Sequence, residues 1–301
     1  MSKSRVSVLM PVYNAAAFVQ QAVESILAQT YRDFEFIIVD DGSTDRTSRI
    51  LKKLASRDPR IHLIHQSNAG IVAALNNGLQ HCAGDLIARM DADDVSMPQR
   101  FERQVEYLDA HPECVCVGSR VLAIDPYGGV LYTSEHEQSH EWIDRELLKG
   151  VGWAVVHPVA MLRKGAMSAV GAYRREFQWA EDMDLFLRLA ELGKLANLPD
   201  ILLQYRQHPD SVNRSRQKEQ IQVINAVVAD AHRRRGLTMD KSWSYIPMPL
   251  LPKHKQLLEW AWKALKEGKI SAARKCALDV WKTSPLNIES WRILYCAMRG
   301  H

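Results

Sequence analysis

The chain has 301 residues, 25% of them charged and 47% hydrophobic, with a net charge of +4. That length accommodates one large domain and a small one, and the mild charge argues against a nucleic-acid binder. No run approaches the ~20 apolar residues of a membrane-spanning helix, the polar opening Ser2-Lys3-Ser4-Arg5 does not read as a secretory signal, and five cysteines make no disulfide framework, so the expected location is cytoplasmic.

Val6 to Met10 reads as a strand closed by Pro11, and Asn14 stands in a helix-capping position. Phe18, Val19, Ala22, Val23, Ile26 and Leu27 then form a helical apolar stripe. Phe34 to Val39 is a near-continuous apolar strand, as expected when both faces are covered. Gly42-Ser43-Thr44 turns into a helix bearing Ile50, Leu51 and Leu54. Ile61 to Ile64 is a third strand, Gly70 to Leu79 a third helix and Leu86 to Met90 a fourth strand. This alternation predicts an α/β fold with a parallel sheet and helices on both faces. Ligands of such sheets bind beyond the carboxyl ends of the strands.

Two of those ends are acidic: Asp40-Asp41 and Asp91-Ala92-Asp93-Asp94. Clustered carboxylates at a strand end suit a divalent cation that shares the oxygens of a diphosphate. Further on, Pro98 starts a helix, Val115 to Ile124 is a strand with Cys114 and Cys116 as packing residues, and Glu181-Asp182 opens another helix. Pro199 to Tyr205 reads as an edge strand and His208 to Ser211 as a loop. Basic residues gather at Arg214, Arg216 and Lys218 and at Arg233-Arg234-Arg235, as solvated helix faces or as peripheral contacts to anionic lipid at the inner membrane face.

Pro247, Pro249 and Pro252 mark a linker, so the expected domains are 1–238 and a helical tail at 239–301. Leu257, Ala261, Ala264, Leu265, Gly268, Ala273, Ala277, Val280 and Pro285 resemble one tetratricopeptide helix pair. Trp291, Leu294 and Tyr295 open an incomplete second one. A single repeat buries its face poorly. The tail is therefore expected to pack on the main domain or on another subunit as a homodimer; a capping hairpin with no partner is the other reading.

Pro11-Val12-Tyr13-Asn14, Ser25 to Tyr31 and Val39-Asp40-Asp41-Gly42-Ser43-Thr44-Asp45 together resemble the opening of family 2 glycosyltransferases with the GT-A fold. Ala74 to Leu79, Gly84-Asp85-Leu86, the Asp91 cluster, Glu181-Asp182 with Leu185 and Arg188, and Tyr205-Arg206 with His208 continue the resemblance in order. It implies inverting transfer of one sugar from a nucleotide-diphosphate sugar to an acceptor hydroxyl on a glycan or lipid-linked acceptor, with Mn²⁺ or Mg²⁺ as cofactor. Under it Asp93 is the direct metal ligand, Asp91 contacts the metal through water or the ribose, and His208 either completes the shell or is an exposed loop histidine.

Asp182 is the expected base, kept ionised by the helix N-terminus, and Glu181 orients the site. Pro11, Val12, Tyr13 and Asn14 lie where the base ring is held, although Tyr13 reads equally as a packing residue. Asp41 is expected to accept the uracil imide N–H, and Asp40 to hold the base or ribose. Asn68, Gly70, Asn76, Arg89 and Ala92 complete the donor side, and Trp153, His157 and Trp179 the acceptor side. The absence of Gln-x-x-Arg-Trp separates the chain from processive synthases. Two other functions are weighed: a sugar-phosphate nucleotidyltransferase, which would need a glycine-rich basic loop where Pro11 to Asn14 stands, and a non-catalytic nucleotide-sugar-binding module that recruits partners through the tail.

Overall fold

The computed structural model describes residues 4–135, 137–208, 216–239, 243–246 and 251–300. Pro209, Asp210 and Ser211 of the expected loop, Arg214, and Pro247 and Pro249 of the expected linker lie outside the described residues.

The first half alternates as read: β1 (Val6–Val12), α1 (Val19–Leu27), β2 (Phe34–Asp41), α2 (Thr47–Ala55), β3 (Ile61–Gln66), α3 (Ile71–His81) and β4 (Leu86–Arg89). Then come β5 (Val95–Ser96), α4 (Arg100–Ala110), β6 (Cys114–Ile124), β7 (Val130–Thr133), α5 (His140–Leu148), β8 (Met161–Arg163), α6 (Lys164–Ala169), α7 (Glu181–Ala190) and β9 (Lys194–Arg206). The helices α8 (Gln217–Arg234), α9 (Lys253–Lys266), α10 (Ile270–Thr283) and α11 (Ile288–Arg299) follow. Among the described residues no helix is long and apolar enough to cross a membrane.

The strands run in the order β3-β2-β1-β4-β8-β6-β9-β5, with β7 on β6. Pairing is parallel across β3, β2, β1 and β4, and antiparallel from β4 to β8 and from β8 to β6. The expected edge strand at Pro199 is the longer β9, which lies between β6 and β5. Strand β1 does not stop at Pro11 but runs through it to Val12. Leu9 faces β4, where its carbonyl accepts the Met90 N–H. Pro11, two residues on, faces the same side beyond Arg89, the last paired residue of β4, so its missing N–H breaks no ladder bond.

Helix α3 lies close on β1 and β2 because residue 78 is glycine. A Cβ there would stand 2.4 Å from Leu9 Cδ1 and 2.9 Å from a Val39 methyl. The resulting core joins Leu9, Ile37, Val39 and Leu75 to Leu185, Phe186 and Leu189 of α7. Cys82, Cys114, Cys116 and Cys276 are buried free thiols.

By compactness the chain divides into one unit of residues 1–121, 135–204 and 218–245 and a second of 122–134, 205–217 and 246–301. In the second unit Leu257, Trp260, Ala261, Ala273, Ala277, Val280 and Ile293 close a separate helical core.

Helix α7 is anchored by charge as well as by packing. Buried Asp184 accepts from Arg188 Nη2 at 2.7 Å and from Arg174 Nε at 3.1 Å. Arg188 in turn donates to the Ala172 carbonyl at 2.7 Å. Removing one partner of a buried ion pair leaves an uncompensated charge. Asp184→Ala is therefore expected to lower stability by about 3 kcal/mol, measured as a drop in the urea midpoint; a wild-type midpoint would show that this network does not hold α7.

Candidate active site

The parallel register aligns the strand ends, with Val12 opposite Asp40 and Leu9 opposite Arg89. The turns after β1, β2 and β4 therefore open on one edge of the sheet. Asn14, with φ of +50°, does not cap α1, whose N-cap is Phe18. Its side-chain oxygen instead accepts from the Thr44 N–H at 2.8 Å and the Asp45 N–H at 3.3 Å, which ties the β1 and β2 turns together.

The two acids of β2 do different work. Asp40, 1% exposed, accepts from Ser43 N–H at 3.0 Å, from the Ser48 hydroxyl, and faces His65 Nδ1 at 3.2 Å. Burial acts to raise its pKa, but the serine hydrogen bonds outweigh it and the net shift is downward. Asp41 accepts from Gln66 Nε2 at 2.7 Å and from the Ala69 and Gly70 N–H groups at 2.9 and 3.0 Å. A carboxylate offers about four lone-pair sites, so these three donors leave one over; Tyr13 is 51% exposed. Gly42 (φ +71°) closes this turn: a Cβ there would lie 2.6 Å from the Asn68 N. Asn68 Nδ2 donates to the Asp41 carbonyl, and Asn76 is held at both ends by the Tyr173 backbone.

At the end of β4, ligand oxygens of Asp91, Asp93 and Asp94 lie within 4.8 Å of one another. Asp94 is buried and offsets the charge of buried Arg100, while Asp91 and Asp93 are half-buried. Ala92 is buried between them. A set of hard oxygens in a half-open turn fits a divalent cation that keeps water. Arg89, 1% exposed, donates from Nη1 to Asp91 at 2.6 Å, and its Nε is buried with no protein partner. Burial and then Asp93 push the Asp91 pKa up, against the pull of Arg89.

Glu181 and Asp182 open α7 behind a strained turn. Trp179 has φ of +84°, rare for a non-glycine residue. Its N–H donates to Glu181 Oε2 at 2.8 Å, and its carbonyl accepts from Gln220 at 3.2 Å. Burial first, then the charge of Asp182, pushes Glu181 up to about 7, although Arg89 pulls it down. The expectation that the helix start holds Asp182 low meets the same opposition. Met183 N–H donates to it at 2.8 Å, yet burial prevails and the shift is upward, with Arg89 lowering and Asp91 raising it.

Of the expected acceptor-side residues, Trp153 is 53% exposed and lies 6.4 Å from the Trp142 ring. His157 is buried, its Nε2 2.8 Å from the Tyr173 hydroxyl. Burial, then the charge of Arg89, keeps it neutral, with a pKa well below 6.5. His208 falls in the second unit.

Two residues escaped the sequence reading. Tyr173 joins His157 to Asn76, and Gln178 lies 3.2 Å from where a Gly70 Cβ would be. Neither falls in a periodic segment; Gly171 signals only a turn nearby.

Because Glu181 holds its proton more tightly folded than unfolded, its contribution falls as pH rises from its ordinary 4.5 to about 7. Glu181→Gln, which keeps the acceptor for Trp179, is expected to raise stability above pH 7 by up to ~3 kcal/mol and to change nothing at pH 4. A thermal melt series gives the answer, and a gain that does not grow with pH would contradict it.

The profile for glycosyl transferase family 2 matches residues 7–169. Putative glycosyltransferase EpsE of Bacillus subtilis is 36% identical over 259 residues, covering 83% of this chain and 89% of its own. The amylovoran biosynthesis glycosyltransferase AmsE of Erwinia amylovora is 32% identical over 214 residues, 70% of this chain and 79% of its own. The crystal structure of S. aureus TarS 1-349 in complex with UDP-GlcNAc is similar with a TM-score of 0.63 at 15% identity, covering 98% of this chain and 88% of that one. That likeness carries the fold, which is GT-A. Fold, profile and relatives agree, and the chain belongs to the family 2 glycosyltransferases.

Proposed function

We propose that the domain at 1–238 transfers one sugar from a nucleotide-diphosphate sugar, in the first place a UDP-sugar, to an acceptor hydroxyl with inversion, in polysaccharide synthesis. The observation that carries this reading is electrostatic: Asp91, Glu181 and Asp182 all feel the single buried charge of Arg89. An acid turn suited to diphosphate and metal thus lies beside a carboxylate at a helix start, the two parts a single displacement needs.

Asp93 is assigned as direct ligand of Mn²⁺ or Mg²⁺, and Asp91 as a contact through water or ribose. The cation there would offset charge building on the departing diphosphate. Tyr13, Pro11 and Val12 hold the base ring, and the remaining lone pair of Asp41 accepts the uracil imide N–H. The buried Arg89 Nε is a donor left over for an oxygen of the nucleotide sugar. Asp182, half-buried, takes the proton of the acceptor hydroxyl, and Glu181 fixes the Trp179 turn on which it stands. Trp153 and Trp179 offer indole faces to a glycan or lipid-linked acceptor. The UDP-GlcNAc bound by TarS and the amylovoran pathway of AmsE support a UDP donor and a surface-polysaccharide product.

Thermal shift against UDP-, GDP- and dTDP-sugars tests the donor. A UDP-sugar with Mn²⁺ should stabilise the chain by ~2.7 kcal/mol at a hundredfold excess over Kd, and Asp93→Ala should abolish the metal dependence. A shift with a GDP-sugar alone would overturn the uridine assignment. Asp182→Asn should keep the donor shift while turnover falls ~10²–10⁴-fold; wild-type turnover would remove Asp182 from the chemistry.

A further inference from the structure

The last helix of the second unit has two apolar faces. One enters the helical core through Ile293 and Ala297. The other is open: Ile288 is 80% exposed, Trp291 54%, Tyr295 60% and Met298 60%, and Leu286 just ahead of them is 99% exposed. Spacing of three, four and three residues puts the four helical ones on one side of α11. Five side chains at these exposures leave on the order of 600 Å² uncovered, the upper end for the largest patch on a monomer.

The patch is ordered. The Trp291 indole donates to the Pro285 carbonyl at 2.8 Å and meets Trp281 edge-on at 5.6 Å. Arg299 donates to the Tyr295 hydroxyl at 2.7 Å, and the exposed Arg292, one turn from Ile288 on the same helix, pairs at the surface with Glu289 at 3.4 Å. Residues 253–299 hold ten lysines and arginines against four acids, a net +6 where the whole chain carries +4. The second basic group singled out in the sequence is occupied elsewhere: Arg233 is paired with Asp230, Arg234 with Glu191, and Arg235 with Asp144 and Glu191.

Charge selects the occupant. A second copy docked on the same face would set +6 against +6, and the open area falls short of the ~800 Å² per partner of a standard interface. An anionic surface has the opposite sign and accepts a flat aromatic-and-basic face without shape matching. We propose that the open face of α11 binds an anionic phospholipid bilayer, with Ile288, Trp291, Tyr295 and Met298 at the headgroup–acyl boundary and Arg292 and Arg299 on lipid phosphates. This stands on the tail alone and does not depend on the donor assignment.

The test is flotation of the full chain with vesicles of phosphatidylcholine alone or with about one-third phosphatidylglycerol, at physiological ionic strength. Binding is expected only to the anionic vesicles, weakening as salt rises. Leu286→Ser/Ile288→Ser/Met298→Ser should lose at least tenfold in binding and keep the wild-type melting temperature. Arg292→Glu/Arg299→Glu, which leaves the apolar face whole, should lose binding by a similar factor. No flotation with anionic vesicles, or undiminished flotation of either variant, overturns the proposal. So does a wild-type dimer in sedimentation that the triple variant converts to monomer, because a second copy would then cover the face.

Discussion

Arg89 ends the fourth strand with its guanidinium almost wholly out of water, bonded to Asp91 and close enough to Glu181 and Asp182 to lower both. Burying a lone cation costs several kcal/mol, and so does burying each carboxylate. Grouped, they offset one another in part, and the remainder appears as upward shifts on all three acids. The carboxylates that come from β4 and from α7 are therefore parts of one electrostatic unit. The core that joins β1, β2 and α3 to α7 also takes in Ile87 of β4, so both carboxylate-bearing elements pack on one apolar cluster.

The surroundings carry the cost of that unit. Asp184, clamped by Arg174 and Arg188, pins α7 from below. Trp179 is held in a left-handed conformation by Glu181 on one side and Gln220 on the other. The turn after β2 is likewise over-determined, since Asn14 and Asp41 each accept from two backbone N–H groups and Asp40 from the Ser43 N–H and the Ser48 hydroxyl. Strained turns and raised carboxylates are expected where a site is preorganised rather than where stability is maximal.

The strand–helix alternation and the acidic strand ends were legible because their signals are local: apolar periodicity, and carboxylates next to the residues that end a strand. What escaped was non-local. Asn14 sits where a cap belongs, but its partners are thirty residues away across the sheet edge. Pro11 punctuates a strand only if a neighbour needs its N–H, and β4 has already ended there. The buried link from His157 through Tyr173 to Asn76 joins three segments that have no common pattern. Asp40 and Asp41 were recognised as a pair, and only the fold separates a turn-holding carboxylate from one with an acceptor site to spare.

The most direct test of the central interaction is the pH dependence of the stability lost in Arg89→Met. The attraction that Arg89 supplies exists only while its carboxylates are ionised. The deficit should therefore be largest above the Glu181 value of about 7 and shrink as pH falls and the acids take up protons. A deficit of constant size from pH 5 to 8 would mean that Arg89 is merely packed there, and that the donor-side and helix-side carboxylates are not one unit.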